Sequence, residues 1–78
     1  MLILKLSNET ATEATYNYYP EGKEEYGVLV VDKDNGKISV KSIAPGDEFR
    51  RYLGHAVPKL NELFGKNSYE SKILVAWY

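Results

Sequence analysis

Apolar positions along this chain are spaced for strands through the first half and again at the end, and for a helix in between. Leu2 to Leu6 is apolar on both faces, which predicts a short strand away from the sheet edge. Ser7 to Thr12 is polar and reads as a connection. Glu13 to Tyr19 alternates Ala14, Tyr16 and Tyr18 against Thr15, Asn17 and Tyr19, the pattern of a half-buried strand, and Pro20 ends it before the charged loop Glu21 to Glu25. Tyr26 to Val31 is rich in β-branched residues. The return strand, Lys37 to Ile43, places Ile38 and Val40 on one face and Lys37, Ser39 and Lys41 on the face toward water. Between them, Asn35-Gly36 predicts a tight primed hairpin turn, because both central residues of such a turn need positive φ. From Ile73 onward KILVAWY is apolar on both faces, which predicts a final strand clamped between neighbours inside the sheet.

From Asp47 to Gly65 the spacing changes. At about 100° per residue, Phe49, Tyr52, Leu53, Ala56, Val57, Leu60, Leu63 and Phe64 fall within one stripe roughly 140° wide. Asp47 is the expected N-cap, Glu48 suits the positive end of the helix dipole, and Gly65 suits the position just past the end. Pro58 falls opposite the stripe, where it lacks an N–H and crowds the carbonyl of Gly54. The helix is expected to kink there with its convex side toward solvent, or else to stop near Val57 and restart at Pro58. The predicted fold is therefore one α+β domain over 1–78: a mostly antiparallel sheet of about five strands, ordered β-β-β-β-α-β, covered on one face by a single helix kinked at Pro58.

Composition narrows the function classes. A chain of 78 residues has room for one core, and with no cysteine it has neither a disulfide nor a thiolate metal site to support it. Small folds without such staples lean on close packing or on a second subunit, so a homodimer is an expectation. Ten Lys plus Arg against eleven Asp plus Glu leave a net charge of -1, without the basic surplus that neutralises phosphate, which argues against a nucleic-acid partner. Lys5 interrupts the apolar start too early for a signal peptide or a membrane span, so a cytoplasmic protein with no membrane partner is expected. The triplet Asn8-Glu9-Thr10 matches a glycosylation acceptor but has no consequence without export.

Asp32 to Gly36 departs from an EF-hand loop: its glycine comes one place early, and Ile43 stands where the bidentate glutamate belongs. These residues read as turn chemistry. One histidine and no cysteine leave a transition metal only carboxylates, and the glycines are scattered, so neither a metal nor a cofactor is expected.

His55 lies on the outer side of the predicted helix, near Arg51 and Glu62. As a site, His55 would serve as acid or base and Arg51 as an anion anchor, with Tyr52 or Asp47 nearby. Asp47 and Glu48 lie about two turns away, too far along the helix to orient the imidazole. The simpler reading is a solvated face of mixed charge.

Tyrosine is the compositional oddity, with seven in the chain. One helix cannot cover both faces of such a sheet, so the other face is solvated, covered by another chain, or used. Tyr16, Tyr18, Tyr19, Trp77 and Tyr78 are the candidate anchors of an interaction surface there, because tyrosine pairs an apolar body with a polar tip. The alternation leaves open which face Tyr16 and Tyr18 take; on the helix side they are core. An aromatic sheet also stacks single-stranded bases, but the acidic loop Glu21 to Glu25 would repel a phosphate backbone. The expected function is a non-enzymatic binding module acting through self-association or a protein partner.

The succession YYPEG, YGVLVVDKDNGKI, DEFRRYLGHA and VAWY, spanning Tyr18 to Tyr78, resembles a family of small uncharacterised Firmicutes proteins. Pro58 departs from that pattern, where an ordinary helix residue would stand. The resemblance implies a bacterial, cytoplasmic protein and brings no assigned activity. It also implies that His55, as part of the pattern, has a reason to be there.

Overall fold

A computed structural model describes residues 1–77, so Tyr78 lies outside the described residues. Five strands, β1 (Leu2–Glu9), β2 (Glu13–Pro20), β3 (Gly27–Asp32), β4 (Ile38–Ser42) and β5 (Lys72–Val75), form one antiparallel sheet in the order β4-β3-β2-β1-β5. The helix α1 (Leu53–Lys66) stands between β4 and β5 in the chain. This is the expected α+β architecture.

Cross-strand register decides which side chains become core. Tyr18 sits opposite Leu4 and Gly27, Tyr16 opposite Leu6 and Leu29, and Ala14 opposite Val31. On the far side of β1, Leu4 pairs with Ile73 and Leu2 with Val75. Because side chains alternate along a strand, these residues share one face. Leu53, Ala56, Leu60 and Leu63 of α1 are buried against it.

Several local features differ from the expected ones. β1 continues through Asn8 and Glu9, which pair with Thr15 and Ala14 after a bulge that leaves Ser7 unpaired. The turn after β3 is wider than a two-residue primed turn. Asp32 Oδ1 accepts from the N–H of Asp34 at 2.8 Å, the Asp32 carbonyl accepts from Gly36 N–H at 2.8 Å, and only Gly36 takes a positive φ, of 78°. A Cβ on Gly36 would also lie 2.7 Å from Phe64 Cε2, so the turn needs glycine twice over.

β5 is an edge strand and not the internal one expected. Hairpin connections give β2 and β3 two neighbours each and leave a free side on both β1 and β4; β5 takes the one on β1, and no strand among the described residues pairs its own outer side. Its two apolar faces have another cause: Ile73 enters the core while Leu74 stands 63% exposed on the opposite face.

The helix starts later than its apolar stripe suggests. Asp47 to Arg51 form a separate turn in which Arg50 takes φ 59°, and Phe49 is 99% exposed instead of buried. α1 then runs without interruption through Pro58 and ends past Gly65, at Asn67, which takes φ 50°. The N–H groups of Asn67 and Ser68 donate to the carbonyls of Phe64 and Leu63, a left-handed closure made by asparagine in place of glycine.

Two substitutions separate the apolar stripe from the folded helix. Phe49→Ala should change unfolding free energy by less than about 0.5 kcal/mol, as expected for an exposed residue. Leu60→Ala should cost about 2–5 kcal/mol through the cavity it leaves. Urea denaturation of both variants measures the contrast.

Candidate interaction surface

The geometry of both sheet faces starts at Tyr18. Its hydroxyl accepts from the Ala44 N–H at 2.9 Å and donates to Asp47 Oδ2 at 3.1 Å. The Asp47 carboxylate is 2% exposed and also accepts the backbone N–H groups of Tyr52 and Leu53, each at 3.0 Å. Asp47 is therefore not the N-cap expected, a position taken by Tyr52, but it satisfies the helix N-terminus from five and six residues away, with the intervening turn looped outward. Tyr18 in turn lies over Gly27, where an added Cβ would strike its ring and come within 2.6 Å of the Ala44 nitrogen. Burial, opposed by the Ala44 N–H and reinforced by Asp47, pushes the Tyr18 hydroxyl up to about 12.

Tyr16 is fixed in the same way at the other end of the core. Its hydroxyl donates to the Glu70 carbonyl at 2.7 Å, and burial, then Glu9 and Glu70, push it up to about 12. Both Tyr16 and Tyr18 have no exposed surface. They are core, and only Tyr19 of the three clustered tyrosines reaches the uncovered face.

That face is laid out in rows across the sheet. One row holds Tyr19, Ile3 and Leu74, which are aligned neighbours on β2, β1 and β5. Tyr26 extends it from the β2–β3 loop, its ring centroid 5.2 Å from that of Tyr19. The next row holds Val28, Asn17, Lys5 and Lys72, again aligned. Lys5 Nζ sits 4.9 Å from the Tyr19 ring centroid, and neither Lys5 nor Lys72 forms a salt bridge among the described residues. The carboxylates sharing this side, Glu13 and Asp32, lie at the far end of the ladder, about 13 Å from Lys5 along the strand. The surface is thus an apolar aromatic row beside a lysine pair, with its strand carboxylates at the far end and the exposed Glu24 and Glu25 next to Tyr26 in the loop.

On the helix side, His55 is half-buried and lies flat on Trp77: the ring centroids are 3.7 Å apart and the planes 6° from parallel. Tyr52 meets the same indole edge-on at 5.6 Å. The Tyr52 hydroxyl donates to Glu21 Oε2 at 2.9 Å, and the Met1 ammonium contacts the same oxygen at 2.7 Å. The ammonium first, and then the Tyr52 hydroxyl, hold Glu21 below the usual carboxylate range. His55 is therefore part of a clasp that holds the segment after β5 onto α1, and not a member of a solvated face. Arg51 is exposed beside it, and His55 makes no ion pair with a carboxylate among the described residues.

Of the five aromatic anchors expected from sequence, Tyr19 is on the open face, Tyr16 and Tyr18 are in the core, Trp77 is in the clasp, and Tyr78 lies outside the described residues. The residues missed were Ile3, Tyr26, Leu74, Lys5 and Lys72. Alternation alone marked Ile3 against Leu2 and Leu4, but Leu74 joins it only once β5 is placed beside β1.

Two outcomes follow from this geometry. Tyr16 and Tyr18 hold their protons to about 12 when folded and release them near 10.0 when unfolded, so their contribution to stability should be full below pH 10 and be lost between pH 10 and 12. Thermal melts across that range, with Tyr18→Phe showing a shallower loss, check the assignment. His55→Ala should brighten the emission of the sole tryptophan, because a stacked imidazole quenches indole, while circular dichroism stays unchanged.

The described residues hold no helix long and apolar enough to cross a membrane and no cluster of three potential metal ligands. No family model, curated protein or solved structure matches this chain.

Proposed function

We propose that this protein is a non-enzymatic interaction module that docks a protein partner on the sheet face turned away from α1. One observation carries the reading: the aromatic row of Tyr19, Tyr26, Ile3 and Leu74 lies open beside Lys5 and Lys72, two aligned cations without a salt bridge among the described residues. Tyrosines at the centre of such a patch supply rigid contact area at low entropic cost, and unpaired lysines at its side favour a partner carrying carboxylates. A ligand site at His55 and Arg51 has less support, because one face of the imidazole is taken by Trp77 and no carboxylate pairs with it among the described residues.

Site-specific photocrosslinking in living cells tests the proposal. A benzophenone side chain at Tyr19 should give a discrete protein adduct that the same group at Pro58, on the outer side of α1, does not give. Tyr26→Ser should reduce the yield, and as an aromatic anchor worth about 2 kcal/mol it should weaken the isolated complex about 30-fold. Equal labelling from both positions, or none from Tyr19, overturns the reading. An adduct destroyed by nuclease would replace it with single-stranded nucleic acid.

A further inference from the structure

The two edges of this sheet are not alike. β4 carries a bulge at Lys41, between the pairs Leu29–Val40 and Val28–Ser42, and Lys37 precedes the strand, devices that discourage edge-to-edge pairing. β5 pairs with β1 in unbroken register and has neither a bulge nor a covering segment among the described residues. The Leu6 N–H donates to the Ser71 carbonyl at 2.9 Å. In an antiparallel ladder that bond fixes the alternation: Ser71, Ile73 and Val75 direct their backbone groups into β1, whereas Lys72 and Leu74 direct theirs outward. Leu74 thus joins an outward N–H and C=O to a side chain that is 63% exposed.

We infer that β5 is a homodimer edge, pairing antiparallel with β5 of a second copy about a two-fold axis at Leu74. Side-chain chemistry singles out this occupant and this register. Centred on Leu74, the two leucines meet across the axis, Ile73 faces Val75 of the second copy, and Lys72 faces Ala76. Centred on Lys72, the lysines would oppose each other directly, and centred on Ile73 they would be diagonal neighbours. Lys72 therefore acts as a register selector: it disfavours the shifted pairings and is harmless in the one centred at Leu74. The join continues the apolar helix-side layer across the axis and closes the β5 edge of each copy in one event. An edge of four residues buries less than the roughly 1,200 Å² of a standard interface, so the dimer forms at micromolar and higher concentration. The inference does not rest on the partner surface proposed above, although dimerisation would merge two such surfaces into one.

Sedimentation equilibrium from micromolar to millimolar protein tests it. The wild type should shift from 8.9 kDa toward twice that mass. Leu74→Pro removes an N–H that β1 does not use, so it should keep the monomer fold and abolish the shift. Should that variant fail to fold, Leu74→Lys places like charges across the axis and should raise the dissociation constant at least about tenfold. Tyr19→Ser should dimerise like wild type, which separates this inference from the docking surface. A mass fixed at 8.9 kDa, or a dimer that persists in a folded Leu74 variant, overturns the inference.

Discussion

A buried carboxylate joins the two layers of this protein. Asp47 has almost no solvent contact, and its two oxygens accept one hydroxyl from the sheet and two backbone N–H groups from the start of the helix. Hydrogen bonds to a charged acceptor are worth about 1.5–3 kcal/mol each, whereas a buried carboxylate without them would be strongly unfavourable. The group is tolerable only because all three donors converge, and the positive end of α1 adds to the same balance. Much of the upper half of the molecule follows from this. Tyr18 must be core for its hydroxyl to reach Asp47, Gly27 must lack a side chain for Tyr18 to fit, and the turn before α1 must loop outward.

The clasp at the same end of the helix is of a different kind. His55, Trp77 and Tyr52 are held by ring contacts at a half-buried surface, with a single hydrogen bond from Tyr52 tying them to the β2–β3 loop. Stacked aromatic contacts contribute about 0.5–1.5 kcal/mol beyond their area, less than the Asp47 node, so the clasp positions the segment after β5 without holding the layers together. This gives His55 the reason its place on the helix lacked.

How much could be read from sequence depended on how local the signal was. The alternation of Glu13 to Tyr19 marks a strand and sorts its residues into two sets, and the 3.6-residue spacing from Leu53 to Phe64 marks the helix and its buried side. Both signals come from neighbouring positions. Which set of tyrosines faces the helix depends on pairing with Leu4, Leu29 and α1, residues far away in the chain, and alternation carries no such information. Phe49 fits the helical stripe by spacing, but the bonds from Tyr52 and Leu53 to Asp47 take precedence over periodicity and turn it outward. The open face was foreseeable as an area, from one helix on a five-stranded sheet, while its lysine pair required the register of β1 against β5.

That same register has a kinetic side. Leu2 pairs with Val75, so the β1–β5 ladder closes nearly the whole chain, whereas β1 through β4 are joined by short connections between neighbours. Contacts of long sequence separation must offset a larger loss of chain entropy before they return any stabilisation. The four-stranded meander is thus the part suited to forming early, and β5 docks onto a surface already built. Interactions made after the rate-limiting step leave the folding rate nearly untouched and act on the reverse rate. The final strand, with Trp77 beyond it, then sets how long a folded molecule survives rather than how quickly it arises.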